Sequence, residues 1–163
     1  MDSAQEFEKA YLNYADKIYR FLYWQTRDQA LAEDLTGEAF SRAWRRWDSY
    51  QGGSMQAWLF QIARNLLIDY RRKKKELPLD DAGTIIGSLE QEGLAARHQR
   101  ADEIWQMHKA IDQLPDNLRG VTVLRFIEEL SVREVAEVLG LSEGNVRVLQ
   151  FRALRQLRGV LEK

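Results

Sequence analysis

The sequence predicts an all-α protein: two small helical bundles joined by a flexible linker, the second bundle carrying a helix-turn-helix. Three observations predict it. Apolar residues recur three or four positions apart almost throughout, while the alternation that marks strands is nearly absent. That periodicity dissolves once, between about residues 76 and 97, where a proline, three glycines and several acids gather. The stretch Leu130–Leu149, LSVREVAEVLGLSEGNVRVL, then has the order helix, glycine, N-cap, helix.

In the first unit, residues 1–75, Phe7, Tyr11, Tyr14, Ile18, Phe21 and Leu22 give one amphipathic helix over 3–25. Leu31, Leu35, Phe40, Ala43, Trp44 and Trp47 give a second over 28–48. The segment Tyr50-Gln-Gly-Gly-Ser-Met is a turn, because paired glycines punctuate strongly. A long helix over 56–74 follows, with Trp58, Leu59, Ile62, Ala63, Leu66, Leu67 and Tyr70 on its apolar side. Residues 76–100 read as an acidic linker, with short helical pieces near Leu89–Arg100.

The second unit, residues 101–163, opens with Ile104, Met107, Ile111 and Leu114 at helical spacing. Pro115 starts a helix holding Leu118, Val121, Leu124, Arg125 and Ile127. Val132, Val135, Ala136, Val138 and Leu139 form the next apolar face, and Gly140 ends it by entering the left-handed turn without penalty. Ser142 caps a further helix, whose Val146 and Leu149 point to the core. Small Ala136 suits a close helix crossing. An ordinary helical hairpin is the simpler alternative, but these offsets together favour a DNA-reading unit. Leu154, Leu157, Val160 and Leu161 supply a last apolar stretch.

Composition narrows the class. The chain has 163 residues, 45% hydrophobic and 30% charged, with two prolines and no cysteine. Disulfides, thiolate metal sites and thiol catalysis are thereby excluded. No apolar run approaches the roughly 20 residues that span a bilayer, and the acidic start MDSAQEFEKAY lacks the order of a signal peptide. A cytoplasmic protein without membrane insertion is expected. The formal charge of −1 hides two basic segments, +7 over residues 41–75 and +3 over 141–163, within an acidic remainder. Affinity for a polyanion needs local rather than net positive charge.

The basic segment from Trp44 to Lys75 interleaves aromatics (Trp44, Trp47, Tyr50, Trp58, Phe60, Tyr70) with Arg42, Arg45, Arg46, Arg64 and the run Arg71–Lys75. Aromatic faces stack on unpaired bases while cations track the backbone, so the mixture suits single-stranded nucleic acid. Asn65, donor and acceptor at once, is suited to a base edge. Taken singly, Trp44 and Trp58 also fit a core, and the basic run fits a solvated helix end.

Taken in order, ALAEDLTGEAFSRAWRRW, AWLFQIARNLLIDYRRKK and a second unit with LP at its start and LS..EVA..LGLS.GNVR at its centre resemble a bacterial extracytoplasmic-function sigma factor of the sigma-70 family. The resemblance covers roughly residues 6–75 and 101–160. It implies that the first unit binds core RNA polymerase and the −10 promoter element, and that the second binds the −35 element. Glu33, Asp34, Leu35, Glu38 and Phe40 match the helix that docks on the clamp coiled coil of the β′ subunit. Tyr50, Gln51, Gly53 and Ser54 match the loop that captures a flipped −10 base, and Asn65, Asp69, Arg71 and Arg72 match the −10-facing helix. Asp69 is suited to holding Arg72 or Arg71 in place. Ser142, Asn145, Arg147, Arg152 and Arg155 match −35 contacts. The implied partners are core polymerase (the β′ clamp and the β flap), promoter DNA both duplex and melted, and an anti-sigma factor. No cofactor and no metal is implied. Gly37 departs from the family pattern, and a mid-helix glycine costs about 1 kcal/mol. Asn145 and Val148 depart from it too.

Two other readings compete. A stand-alone helix-turn-helix regulator would use residues 1–100 as a sensor, which leaves AEDLTGEAF and IARNLLIDYRR without a purpose. A small nucleic-acid-processing enzyme would need a catalytic cluster. His98 and His108 lie ten residues apart with no carboxylates at metal spacing, so neither looks like a ligand or general base.

Overall fold

The computed structural model describes residues 2–76 and 99–162, and among them every regular element is helical. The linker expectation and His98 therefore lie almost wholly outside the described residues. Helix α1 (Ser3–Thr26) starts at a capping box in which the Asp2 carboxylate accepts from the Gln5 N–H and the Gln5 side chain returns to Asp2. Arg27 ends it in the left-handed region, and Asp28 immediately caps α2 (Gln29–Arg45) by accepting from the Leu31 N–H. The abrupt stop and restart folds α2 back along α1. A single 3₁₀ turn, Trp47–Ser49, and a short loop lead to α3 (Met55–Lys75), capped by Ser54.

The three helices close on a core in which Ala32, Ala43, Ala57 and Ala63 are wholly buried. Side chains this small let the helices approach closely, and Phe21 and Phe60 fill the remaining space edge-on at 5.6 Å. Full burial of each phenyl ring is worth roughly 1.5–3 kcal/mol.

The second unit comprises α4 (Gln99–Asp112), α5 (Asp116–Thr122), a π-helical turn (Val123–Ile127), α6 (Val132–Leu139) and α7 (Glu143–Leu161). Pro115 occupies the cap of α5, as its missing N–H allows. The helix expected over Pro115–Ile127 widens in its last turn, where the Glu128 N–H reaches back to Val123 O and Leu130 N–H to Leu124 O. Arg125 locks that turn by donating to Leu130 O and to the Gln150 side chain on α7. The recognition segment and the terminal apolar stretch form one 19-residue helix.

The two units are not held apart. Helix α3 packs on α6, and α1 packs on α5 and the π turn. Arg27 pairs with Asp112 at 2.9 Å, and the Trp24 ring lies 4.7 Å from the His108 ring. Arg20 forks onto Glu128, whose side chain is fully buried.

Candidate nucleic-acid and polymerase interfaces

The loop between α2 and α3 is shaped by two glycines, Gly52 and Gly53, at φ of 92° and 83°, a region that penalises any side chain. It is also tethered from a distance. The Tyr50 hydroxyl donates to Gly53 O at 2.5 Å, and its ring lies 5.3 Å from Trp58. Trp58 meets Trp47 at 5.8 Å, and Trp47 meets Phe7 of α1 at 5.4 Å. The aromatics that alternate with bases in the sequence thus mainly stack on one another, and Phe60 is buried. Trp44 is the exception, 46% exposed with one face against Phe7. Gln51 and Gly53 are exposed at the tip, and Ser54 is half-buried.

Ser54 does two jobs. Its hydroxyl accepts from the Ala57 N–H, starting α3, and donates to Glu134 of α6. Gln56, one residue inside the helix, donates to the same Glu134 oxygen at 3.1 Å. Burial alone would push the Glu134 carboxyl up. Hydrogen bonds from the Ser131 backbone, Ser54, Gln56 and the Ser131 hydroxyl outweigh it and hold the group below its ordinary value. Glu128 lies on the other side of that balance: burial raises it despite the hydrogen bonds from Arg20.

Along α3, Asn65, Asp69 and Arg72 follow one another at four- and three-residue steps and share a face. Asn65 is exposed, and Arg72 donates to Asp69 at 3.1 Å, the side-chain pair expected for Asp69. Arg71 turns the other way: it donates to Gln25 O at 2.6 Å and lies 3.9 Å from Asp116. Its guanidinium is therefore committed to packing α3 against α1. Burial lowers the basicity of neighbouring Arg64.

On α2, Glu33, Asp34 and Glu38 are exposed and form the acidic surface, with Glu38 paired to Arg45 at 3.3 Å. Leu35 and Phe40 are buried, so they build the core beneath that surface and not the surface itself. Their periodicity marks a core face as well as it marks a docking face, which is why the sequence does not separate the two.

The helix-turn-helix is assembled from adjacent signals. Ser131 and Glu134 form a capping box at the start of α6. Gly140 sits at φ 67°, and the Ser142 hydroxyl accepts from the Asn145 N–H at 3.0 Å to begin α7. Val146, Ala153 and Leu157 are buried, which turns Gly144, Val148, Phe151 and Arg155 diametrically outward. Val148 and Phe151 are 47% and 61% exposed, so the outward stripe is apolar at its centre. Asn145, Arg147 and Arg152 flank it and are exposed. Arg147 pairs loosely with Glu143 at 3.5 Å, and Arg155 lies over the Phe151 ring.

Sequence reasoning missed Gln56 and the second use of Glu134. The motif Ser131-x-x-Glu134 signals a cap, but nothing local shows that its carboxylate also reaches α3.

Comparisons with known proteins cover both units. Residues 10–76 match the family model for sigma-70 region 2, and residues 110–159 match that for sigma-70 region 4. The ECF RNA polymerase sigma factor SigM of Bacillus subtilis is 36% identical over 96% of this chain and 95% of its own length. SigX of the same organism is 31% identical over 97% and 84%. Among solved structures, the sigma factor RpoE of Bartonella quintana, in complex with the anti-sigma factor NepR, superposes with a TM-score of 0.79 at 25% identity, covering 97% of this chain and 98% of that one. A stand-alone helix-turn-helix regulator would account for the second unit alone. With both units matched in order, this chain belongs to the extracytoplasmic-function sigma factors of the sigma-70 family, proteins that direct RNA polymerase in promoter recognition and transcription initiation.

Proposed function

We propose that the two units divide promoter recognition between two chemically different surfaces. The observation that carries this reading is the coexistence of two exposed polar rows on separate helices. One is Asn65–Asp69–Arg72 on α3 beside a glycine-shaped loop, and the other is Asn145–Arg147–Arg152 on α7. Residues 1–75 form the −10 and polymerase-binding unit, 76–100 the linker, and 101–163 the −35 unit.

The −35 element enters against the outward face of α7. Asn145 and Arg147 reach base edges there, while Arg152 and Arg155 hold phosphates. Ser142 contributes by fixing where the helix begins, since its hydroxyl is occupied by the Asn145 N–H. At the −10 element, Tyr50, Gln51, Gly53 and Ser54 frame a pocket for one extruded base, and Asn65 reads an edge next to it. Extrusion costs a few kcal/mol of unstacking, which the pocket offsets. Asp69 holds Arg72 against the strand. Arg71 supports the helix from behind.

Glu33, Asp34 and Glu38 meet the basic clamp helix of polymerase by charge complementarity, and the second unit meets the flap. An anti-sigma partner, of the class with which RpoE of Bartonella quintana was solved, is the natural regulator. No bond is made or broken by the chain itself, and its site of action is the cytoplasm. Among the described residues no helix is long and apolar enough to cross a membrane.

The test is run-off transcription from a pool of randomised promoters with purified core polymerase, with and without this protein. Protein-dependent transcripts that share two spaced upstream elements are expected. Transcripts that share only one element would overturn the division of labour between α3 and α7.

A further inference from the structure

We propose that the crevice between the two units is a binding site for a small amphipathic organic acid, whose carboxylate pairs with Arg64 and whose N–H or O–H group donates to the Gln25 side chain. The effect on transcription drawn from it below rests on the reading that the units occupy separate promoter elements; the site itself does not.

The first argument is space. The core of the first unit closes on wholly buried alanines and edge-on rings, whereas about 340 Å³ stays open between α1, α3, α5 and α7. Protein interiors rarely leave voids much larger than a water molecule, and sites for small organic ligands begin at roughly 300 Å³. Phe21, Leu67, Ile68, Leu141 and Leu149 line the crevice, so most of its wall is apolar. Water gains little against such a wall, while an apolar ring gains its burial.

The second argument is a pair of polar groups left over. Arg64 and Arg71 stand two turns apart on α3, and both border the crevice. Arg71 is satisfied by Gln25 O at 2.6 Å and by Asp116 at 3.9 Å, and Asp116 is shared further with Arg119. Among the described residues no hydrogen bond or ion pair reaches the Arg64 guanidinium, and burial lowers its basicity. The Gln25 Oε1 is buried in the same wall without a hydrogen-bond partner. An unmade bond on a buried acceptor is costly, so a ligand that supplies the proton gains more there than in water.

The third argument fixes the chemical class. One unpaired cation matches one negative charge, and Asp116 on the same crevice repels a second. The orphaned acceptor asks for a donor, and the wall asks for a flat hydrocarbon body. A monocarboxylate on an aromatic ring that also carries N–H or O–H meets all three demands. Nucleotides carry too much charge for the one cation and too little apolar surface for the wall. Gln25 and Arg64 come from the first unit, Leu141 and Leu149 from the second. Binding is therefore linked to the packing of the units, and a bound acid stabilises that packing by mass action.

Indole-3-acetate and 4-hydroxyphenylacetate are the probes, each titrated into the full-length protein beside its uncharged amide. The methyl resonances of Leu141 and Leu149 and the Gln25 side-chain amide should shift with a Kd of about 0.1–1 mM, ordinary for molecules of this size. The amides should bind about tenfold more weakly. Arg64→Gln should erase that difference while the amides bind as before. Gln25→Leu removes the stranded oxygen, so it should raise the unfolding midpoint of the free protein and yet weaken both acids about three- to tenfold. A merely structural Gln25 does not give those opposite signs. At ten times its Kd, either acid should weaken assembly with core polymerase on a promoter about tenfold. Absence of any shift with both acids overturns the proposal. So does equal affinity for acids and amides, or an acid affinity that Arg64→Gln leaves unchanged. Binding that behaves as expected while promoter assembly stays unmoved supports the site and sinks instead the reading that the units part on a promoter.

Discussion

The α2–α3 loop and the helix-turn-helix, both proposed above to meet promoter DNA, are held in shape by opposite means. The helix-turn-helix is positioned by residues within a few places of one another: the Ser131–Glu134 box, Gly140 and the Ser142 cap. The α2–α3 loop is positioned from farther away. Its Tyr50 rests on Trp58 of α3, Trp58 on Trp47, and Trp47 on Phe7 of α1. A site assembled from local caps is robust to distant substitution and fails one contact at a time. A site assembled from a series of ring contacts that ends on another helix fails as a whole when one ring is removed.

Trp58→Ala should show this most strongly. It removes the ring shared by Trp47 and Tyr50 and should cost about 2–4 kcal/mol in denaturant unfolding. Loss of promoter opening should accompany it, and an intact opening rate would mean that the two glycines hold the loop unaided. Arg147→Ala is the matched single-contact change in the other unit. Binding to a −35 duplex should fall about 5- to 100-fold with no change in unfolding midpoint. Asn65→Ala tests the exposed row on α3. Opening should slow about tenfold, the worth of one or two hydrogen bonds to a base. Permanganate footprinting should show normal reactivity on a pre-melted template.

Ser142→Ala probes the local cap and should cost about 1 kcal/mol of stability. Its effect should stay within the second unit, visible as faster amide exchange in the first turn of α7. Gly37→Ala runs in the other direction. A Cβ there meets nothing within 4 Å, so the substitution should stabilise α2 by about 0.5–1 kcal/mol. A loss of core polymerase affinity despite that gain would show that the partner approaches the helix backbone at Gly37.

The all-helical class, the order of the helices and both halves of the helix-turn-helix were legible from spacing, because an amphipathic helix writes its core face at every third or fourth residue. Pro115, Gly140, Ser142 and the glycine pair marked their boundaries by chemistry that acts within a turn. Charge blocks and motif order pointed to nucleic acid and polymerase. Legibility was weaker wherever one pattern serves two purposes. Leu35 and Phe40 carry the periodicity of a docking helix but lie in the core. Arg71 sits in a basic run but is committed to Gln25 O. The aromatics between the bases could have faced nucleic acid or one another, and only packing decided for one another. The separation of the recognition helix from a terminal stretch was likewise undone, because nothing in Glu143–Leu161 interrupts the backbone hydrogen bonds.

Short-range chemistry was therefore sufficient for the helices and their caps, which depend on residues within a turn or two of one another, and composition alone marked the two basic segments. The tertiary structure alone decided which face of each helix is spent on the core, which cations remain exposed, and that the two units close on each other. Those outcomes depend on contacts such as Arg20 with Glu128 and Ser54 with Glu134, about 80 to 108 positions apart. Neither partner carries a local mark of the other, and chain folding in three dimensions is what brings them within hydrogen-bond range.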